Sequence, residues 1–396
     1  MNPSQKTLHK YHDDADFRDE EMDITVVFVL REPTERKRER IERAMEDAAQ
    51  IRERTANRMK STMENWGATK TSSLWYSWAK EFSEVIDPHS ARENVNRVRE
   101  AFVSWRSKGY GGDEPQFNTK NIVSFAHEKP IYSKENGTYY VSLPLQKGRG
   151  EREILPIKSG GYVEEYLDMI LDEEVSTNMG ELIYQNERYE FHQRIQKPVN
   201  VLEKPETVVG VDLGLNNIAT AGAVQQGEKV GAELWDGSEA AEMRSRFKQR
   251  KEDFQKEERI EDVRDEEHRY MNHVSHNVSR EIVERAKGYE RPIIIFENLT
   301  DIREDFVRRK REYTSDMRRA LHSWRFRDLQ EMVRYKATEE GIPVEEVDPR
   351  NTSKLCNECG SNDTRREGVH FECNNCGYEV NADINGAFNI AARYNG

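Results

Sequence analysis

The sequence contains few cysteines and no long apolar run. There are four cysteines among 396 residues, and no stretch approaches the roughly 18 consecutive apolar residues of a membrane-spanning helix. The first residues, 1–23, are polar and of mixed charge, unlike a signal peptide. We therefore expect a cytoplasmic protein without a membrane partner, in a compartment that keeps thiols reduced.

An excess of basic residues is also missing. Lys and Arg number 61 against 74 Asp and Glu, a net charge of -13, which taken alone argues against nucleic acid as a partner. Between Arg303 and Lys336, however, basic residues outnumber acidic ones and aromatic residues are interleaved, which suits phosphate contact and base stacking. A solvated helix face over a few core aromatics fits this composition equally well. The acidic balance also suits a halophilic protein, because carboxylates keep a chain soluble in salt.

The four cysteines form two Cys-x-x-Cys pairs near the end of the chain. A spacer of thirteen residues separates the pairs, and a glycine follows each of them. This spacing is typical of a tetrahedral four-cysteine zinc site, in which a filled ligand set makes the single zinc structural rather than catalytic. Two disulfides, or four unrelated thiols, are the alternatives, which a reducing cytosol disfavours. The predicted ligands are Cys356, Cys359, Cys373 and Cys376.

The first half of the chain predicts a mixture of strands and helices. Residues 1–22 read as a disordered tail, and residues 23–30 as a β-branched strand. Helical periodicity then fills about residues 34–110, before short alternating strands return. One strand before a helical block and several after it predict a β-barrel, over residues 23–200, with a helical insertion. Prolines and charges near residues 197–206 mark the domain boundary.

Three acidic residues in the second half stand at the ends of predicted elements. Asp212 and Glu297 each finish an apolar strand, and Asp383 opens the final helix. A carboxylate at the tip of a buried strand is costly unless it meets a cation. Three carboxylates from distant segments are what a two-metal phosphoryl-transfer site with Mg²⁺ or Mn²⁺ needs, with Asp212 most simply bridging both ions. The Asp212-Leu213-Gly214 turn also opens actin-like and sugar-kinase ATPases, but the further glycine-rich loops of such enzymes are missing downstream.

These motifs together resemble the TnpB (OrfB) proteins of insertion sequences. The resemblance rests on the strands 210–214 and 295–299 and on the segment from Asp348 onward, and it covers about residues 205–394. It implies an α+β multidomain chain with a wedge-like N-terminal β-barrel that carries an inserted helical recognition lobe. The C-terminal part would be an RNase H-like (RuvC) α/β domain with an inserted zinc ribbon. The implied bounds are 205–350 for the first part of the nuclease domain, 351–380 for the ribbon and 381–396 for the final helix.

The resemblance also implies an activity, partners and site residues. The chain would be an RNA-guided DNA endonuclease, related to type V CRISPR effectors, that binds a guide RNA from its element's end and cuts double-stranded DNA beside a short flanking motif. A separate transposase would be encoded nearby. Asp212, Glu297 and Asp383 take the catalytic and magnesium-binding positions, and Asn216, Asn298 and Asn385 take those of the accompanying asparagines. We expect the nucleic-acid channel to include Arg308, Arg309, Lys310, Arg311, Arg318, Arg319, Trp324, Arg325 and Arg327.

The sequence departs from the family pattern just before Asp383. An acidic residue and an arginine are frequent there, whereas this chain has Asn381 and Ala382, and Gly386 stands where alanine is common. The missing arginine predicts weaker binding of the scissile phosphate or a lower rate, with activity retained because the three acids are present. An RNA-guided DNA-binding protein or repressor with weak or no nuclease activity is the main alternative. A transposase that moves DNA itself is disfavoured, because we can single out no nucleophilic tyrosine.

Overall fold

The computed structural model describes most of the chain. The described residues are 17–62, 72–83, 86–107, 114–117, 119–126, 130–145, 152–214, 216–254, 260–299 and 326–394. They divide into two compact units, one within residues 23–198 and one that joins residues 17–22 to the described residues from 199 onward. Within the part of the chain that is described, no helix is both long and apolar enough to cross a membrane.

Within the described residues of the first half, seven strands form two sheets. The four-stranded sheet has the order β1-β7-β6-β2 and the three-stranded sheet the order β3-β4-β5. Two of the hairpins turn on two consecutive residues of positive φ, Asn136-Gly137 and Asn186-Glu187, which matches the right-handed twist of paired strands. The strands are β1 (Phe17–Val29), β2 (Ile122–Phe125), β3 (Ile131–Glu135), β4 (Thr138–Leu143), β5 (Glu153–Pro156), β6 (Ser176–Gln185) and β7 (Arg188–Leu202).

Two predictions for this half are wrong in detail. The two sheets meet at a single bridge between Leu30 and Ile157, and no ladder in the described residues joins β2 to β3, so these strands form no closed barrel. Nor is all of 1–22 a tail, because Phe17–Met22 opens β1. From Glu20 to Phe28 this strand alternates between exposed residues and residues that are at least partly buried. Residues 1–16 lie outside the described part of the chain.

Four helices accompany these strands. The helix predicted from the spacing of Ile41, Ala44, Met45, Ala48 and Ile51 forms, and all five side chains are buried. They belong to one apolar core with residues of the sheets, among them Phe28 and Phe191. The helices are α1 (Glu35–Thr62), α2 (Ser72–Phe82), α3 (Pro88–Ser107) and α4 (Tyr162–Leu171).

A five-stranded mixed sheet organises the second half, with the order β10-β9-β8-β11-β12. Strand β11 pairs in parallel with both β8 and β12, whereas β9 is antiparallel to β8. As the apolar sequence predicts, Ile293–Phe296 of β11 are buried on both faces. The strands are β8 (Thr207–Leu213), β9 (Asn217–Gln225), β10 (Glu228–Asp236), β11 (Pro292–Glu297) and β12 (Val344–Val347).

Helices cover both faces of this sheet. Ile294 and Phe296 share a core with α6 and α7, whereas Ile293 and Ile295 contact Ile390 of α8 on the other face. The helices are α5 (Ser238–Phe254), α6 (Ile260–Lys287), α7 (Phe326–Glu339) and α8 (Ala382–Ala391). A small antiparallel sheet precedes α8 and consists of β13 (Thr364–Glu367), β14 (His370–Cys373) and β15 (Glu379–Asn381).

Helix α8 approaches the sheet so closely that glycine is needed beneath it. A Cβ atom on Gly210 would lie 2.3 Å from the carbonyl oxygen of Ala387 and 2.4 Å from the amide nitrogen of Ala391. Both neighbours are backbone atoms, so neither can rotate away. The close packing of strand on helix therefore sets the position of α8 and of the residues at its start.

Gly210→Ala is accordingly expected to lower the free energy of unfolding by about 1–3 kcal/mol, the usual cost of overpacking. Urea denaturation of the full chain measures this loss. Gly160→Ala is the matched control, because a Cβ at Gly160 meets no atom within 4 Å. Equal midpoints for the two variants would contradict the close approach of α8.

Candidate active site

Two carboxylates lie side by side at one edge of the five-stranded sheet. Asp212 is the penultimate residue of β8, and Glu297 is the last residue of β11. The two strands are parallel neighbours, with Val211 opposite Phe296, so their carboxyl ends meet at the same edge. Neither acid is fully exposed. The sheet thus brings together two residues that are far apart in the sequence.

The third acid, Asp383, reaches the same place from α8. Asn381 caps this helix, its side-chain oxygen accepting the backbone N–H of Asp383 at 2.9 Å. One turn into the helix, a Cβ on Gly386 would lie 2.6 Å from Oδ2 of Asp212. The start of α8 therefore lies directly against the strand-end carboxylate, and glycine at 386 leaves that carboxylate its space.

Asp383 accepts two side-chain hydrogen bonds. Nδ2 of Asn217, the first residue of β9, donates to its Oδ2 at 2.9 Å. A guanidinium N–H of Arg366 on β13 donates to its Oδ1 at 3.1 Å and forms an ion pair. The side chain of Arg366 is 43% exposed and that of Asp383 only 14%. A cation from the small sheet thus stands at the rim of the acid site.

Burial raises the pKa of two of these acids, and repulsion by the other acids adds to it at Asp212. Burial contributes most to the raised pKa of Asp212, followed by the charges of Glu297 and Asp383, while Arg366 acts in the opposite direction. Burial also raises the pKa of Glu297, against a hydrogen bond from the Thr352 hydroxyl and the charge of Arg393. Crowded, desolvated carboxylates gain strongly from a bound cation.

The spacing of the three acids suits more than one ion. In the described residues, only the four cysteines bring three or more potential ligand atoms within 4.8 Å of one another, so the three carboxylates are spread more widely. Two cations about 3.5–4 Å apart would divide such a ligand set between them. Asp212, Glu297 and Asp383 are oxygen donors, the ligand type that Mg²⁺ and Mn²⁺ prefer.

The four cysteines form a separate cluster of free thiols. All four sulfur atoms lie within 4.8 Å of one another. The sulfurs of Cys356 and Cys376 are 3.8 Å apart, and those of Cys359 and Cys373 are 3.6 Å apart. A tetrahedral zinc site with bonds of about 2.3 Å places its sulfurs about 3.8 Å apart, whereas a disulfide needs about 2.05 Å. The cluster therefore fits a metal ion and excludes the disulfide alternative.

Two matching backbone turns present these thiols. The amide of Gly360 donates to the carbonyl of Cys356 at 2.8 Å, and the amide of Gly377 donates to that of Cys373 at 2.9 Å. Both glycines have positive φ, 72° and 74°, a conformation that side chains disfavour. The glycine after each cysteine pair is thus explained by the turn it makes.

The three asparagines predicted by resemblance occupy different surroundings. Asn385 is fully buried, whereas Asn216 and Asn298 are exposed. Asn216 accepts a backbone hydrogen bond from Gly237, and the Asn298 amide donates to Val347. The Asp383 carboxylate accepts from Asn217, the neighbour of the predicted Asn216. The sequence shows two adjacent asparagines and gives no sign of which one faces the acid.

Arg366 and Thr352 are the other residues that the sequence analysis missed. Arg366 lies on an exposed hairpin among other charged residues, so no local pattern distinguishes it from surface. Of the predicted nucleic-acid contacts, Arg327 is exposed on α7. The remaining residues of that set lie outside the described part of the chain, namely Arg308, Arg309, Lys310, Arg311, Arg318, Arg319, Trp324 and Arg325.

Comparisons with known proteins find Cas12f1 endodeoxyribonucleases and TnpB-like proteins as relatives in sequence. The family model for the Cas12f1-like TNB domain matches residues 326–390. The CRISPR-associated endodeoxyribonuclease Cas12f1 of Sulfoacidibacillus thermotolerans is 25% identical over 82% of this chain and 81% of its own length. A TnpB-like protein of Methanocaldococcus jannaschii is 34% identical over 31% of this chain and 43% of its own length.

Solved structures add a likeness of fold. The Cas12f1 chain in a cryo-EM complex with single-guide RNA and target DNA superposes with a TM-score of 0.67 at 14% identity, over 90% of this chain and 83% of that one. A mini-RNA-guided endonuclease, CRISPR-Cas_phi3, gives a TM-score of 0.55 at 10% identity, over 94% and 92%. The chain therefore has the mixed α+β fold of these effectors.

Proposed function

Because the chain belongs to the TnpB family, which is related to the type V CRISPR effectors, we propose that it is an RNA-guided DNA endonuclease of an insertion sequence. The observation that carries this proposal is the meeting of Asp212, Glu297 and Asp383 at one edge of the sheet, with the pKa of Asp212 raised by burial and by the other two acids. The guide RNA and the DNA target are proposed from the family, and hydrolysis is proposed from the acid site.

The three acids would hold two Mg²⁺ or Mn²⁺ ions. Such a pair activates a water molecule and stabilises the leaving oxygen of a phosphodiester. The charges of Glu297 and Asp383 both act on Asp212, which suits a bridging ligand. Asn217 and the Asn381 cap orient Asp383, and the Thr352 hydroxyl orients Glu297. Asn217 and Thr352 are neutral donors that hold the carboxylates without neutralising them, whereas Asn381 accepts from the backbone N–H of Asp383.

Arg366 would bind a phosphate of the substrate as well as pair with Asp383. Its exposed guanidinium stands beside Asp383, and a planar fork of donors suits a phosphate oxygen pair. Position 382, where the family frequently has arginine, is a buried alanine in this chain. Arg366 of β13 would therefore supply the positive charge that Ala382 lacks. This favours nuclease activity over the repressor alternative.

Arg366→Gln is expected to lower the cleavage rate about 10- to 100-fold, because a charge-assisted hydrogen bond to phosphate contributes about 1.5–3 kcal/mol. Single-turnover cleavage of a guide-matched plasmid measures this rate. Arg365→Gln is the matched control, since Arg365 is the neighbouring residue on β13 and pairs with Glu367 of the same hairpin. Equal cleavage rates for the two variants would show that Arg366 does not act in the acid site.

The remaining parts of the chain have roles in this proposal. The segment 351–380 would be a ribbon built on one structural zinc held by the four cysteines, inserted between residues 205–350 and 381–396 of a RuvC-like nuclease domain. Residues 23–200, a wedge-like set of strands with helices inserted at about 34–110, would hold guide RNA and the short DNA motif. The basic stretch from Arg308 to Arg327 would follow the nucleic-acid channel.

Cleavage of a plasmid library tests the proposal. The protein is co-expressed with the RNA of its element's end and given a guide-matched target with randomised flanking bases, with and without Mg²⁺. We expect Mg²⁺-dependent cleavage and enrichment of one flanking motif. Guide-dependent binding of the same targets without cleavage would replace the nuclease proposal by the guided-repressor function. No guide-dependent binding or cleavage would overturn both.

A further inference from the structure

The segment that leads into the first cysteine pair touches both sides of the acid site. We call residues 352–357 the connector. At its start, the Thr352 hydroxyl donates to Oε1 of Glu297. The carbonyl of Thr352 also accepts a hydrogen bond at 2.7 Å from Nδ2 of Asn389 on α8. The connector thus contacts one acid directly and the helix of another.

Asn385 ties the other end of the connector to α8. Its side chain is fully buried, only two residues after Asp383. Its Oδ1 accepts from the backbone N–H of Asn357 at 3.0 Å and from Nδ2 of Asn357 at 2.7 Å. Its Nδ2 donates to the carbonyl of Leu355 at 2.8 Å. All these partners flank Cys356, a ligand of the cysteine cluster.

A buried amide stays in place only while its partners do. If the turn around Cys356 loosens, Asn385 loses three hydrogen bonds at once, and the first turn of α8 loses its support. Thr352, which donates to Glu297, belongs to the same connector. Since Asn357 lies inside the first cysteine pair, a metal that fixes the four thiols also fixes the partners of Asn385.

We propose that metal in the cysteine cluster raises the affinity of the acid site for divalent cations, and that Asn385 is the positioning residue that couples the two sites. The proposal rests on the proposed function, because it takes the three acids as a cation site. By linkage, a cation on the acids must equally tighten metal binding by the cysteines.

The competing arrangement is a helix held by the sheet alone. Gly210 and Gly222 let α8 pack closely on β8 and β9, which would keep Asp383 in place whatever the connector does. The two arrangements differ in what they predict for a zinc-loaded protein that lacks only the Asn385 side chain.

Binding of Mn²⁺ to the full chain, followed by electron paramagnetic resonance, separates them. Zinc-loaded protein is expected to bind Mn²⁺ about tenfold more tightly than zinc-free protein, within the usual range of coupling between two sites. Asp212→Asn defines which Mn²⁺ belongs to the acids. Equal Mn²⁺ affinities with and without zinc would overturn the coupling. If wild-type protein shows no Mn²⁺ that Asp212→Asn removes, the proposed function fails, an outcome distinct from lost coupling.

Asn385→Ala then tests the route. With zinc bound at one equivalent, this variant is expected to bind Mn²⁺ about tenfold more weakly than wild type, whereas Asn362→Ala, an exposed asparagine of the same ribbon, is expected to match wild type. If zinc-loaded Asn385→Ala binds Mn²⁺ as tightly as wild type does, the sheet alone holds α8 in position. That result would overturn the role of Asn385. If Asn385→Ala retains no zinc, Asn357→Ala, which removes only the side-chain half of the contact, decides by the same comparison.

Discussion

Asp212→Asn is expected to abolish DNA cleavage while stabilising the cation-free protein. Loss of a ligand shared by two cations removes several kcal/mol of transition-state stabilisation, a fall in rate on the order of 10³-fold or more. Without cations, the same carboxylate lowers the stability of the folded protein, because burial and two neighbouring acids oppose its charge. The amide keeps the shape and has no charge.

The stability effect has a definite dependence on pH. The folded protein favours the protonated carboxyl, since the pKa of Asp212 is raised well above its ordinary value. The stability that this group contributes is therefore complete below its unfolded pKa and is lost as the pH rises through its folded pKa. The advantage of Asp212→Asn over wild type is therefore expected to be near zero at pH 4 and to grow as the pH rises to 8.

Thermal unfolding at pH 4 and pH 8 in buffer without divalent cations measures this effect, and single-turnover plasmid cleavage measures the rate. Asp253→Asn is the control, because Asp253 is an exposed acid of α5. A cleavage rate within tenfold of wild type would remove Asp212 from the catalytic centre. A variant that is less stable than wild type at pH 8 would contradict the repulsion among the three acids.

Strand ends were the part of the site that local sequence could predict. An apolar run such as Ile293–Phe296 has to be buried on both faces, and the acid that follows must then stand at the sheet's edge. The cysteine spacing was equally informative, since four thiols with glycine turns have few other arrangements. In both cases the information lies within one short segment of the chain, at most residues 356–377.

Contacts between distant segments were the part that local sequence could not predict. Arg366 reaches Asp383 across seventeen residues, and Thr352 reaches Glu297 across fifty-five. Both contacts depend on how the small sheet β13-β14-β15 is placed, which no periodicity encodes. The unclosed sheets of the first half have the same cause, because pairing between β2 and β3 depends on three-dimensional placement rather than on strand propensity.

The departures at positions 381, 382 and 386 acquire physical reasons in the structure. Asn381 caps α8 through its side-chain oxygen. Ala382 is buried beside Phe371 and Cys373 of the small sheet, where an arginine would have no room for its charge. Gly386 leaves space for the Asp212 carboxylate. The substitutions that suggested a weakened site are therefore compatible with an intact one that takes its cation from Arg366.

Cys356→Ser is expected to release the zinc and unfold the ribbon. A structural zinc contributes on the order of 10 kcal/mol to a fold of this size. Only a small buried apolar cluster, Cys356, Phe371 and Cys373 with Ala382 of α8, would remain to hold residues 351–380 together. Cleavage is expected to fall below detection as well, because Arg366 and the connector both belong to the segment that unfolds.

Zinc content by mass spectrometry and limited proteolysis of the full chain measure this outcome, with Asn362→Ala as the control that keeps its zinc. New cleavage sites are expected within residues 351–380, while the five-stranded sheet stays resistant because its core of residues such as Val211, Ile294 and Phe296 is complete without the ribbon. A Cys356→Ser protein that retains one equivalent of zinc and a protected ribbon would overturn the assignment of the four cysteines. Loss of zinc with full cleavage activity would instead show that cleavage does not need the folded ribbon. Asp383 and Glu297 would then not depend on the connector.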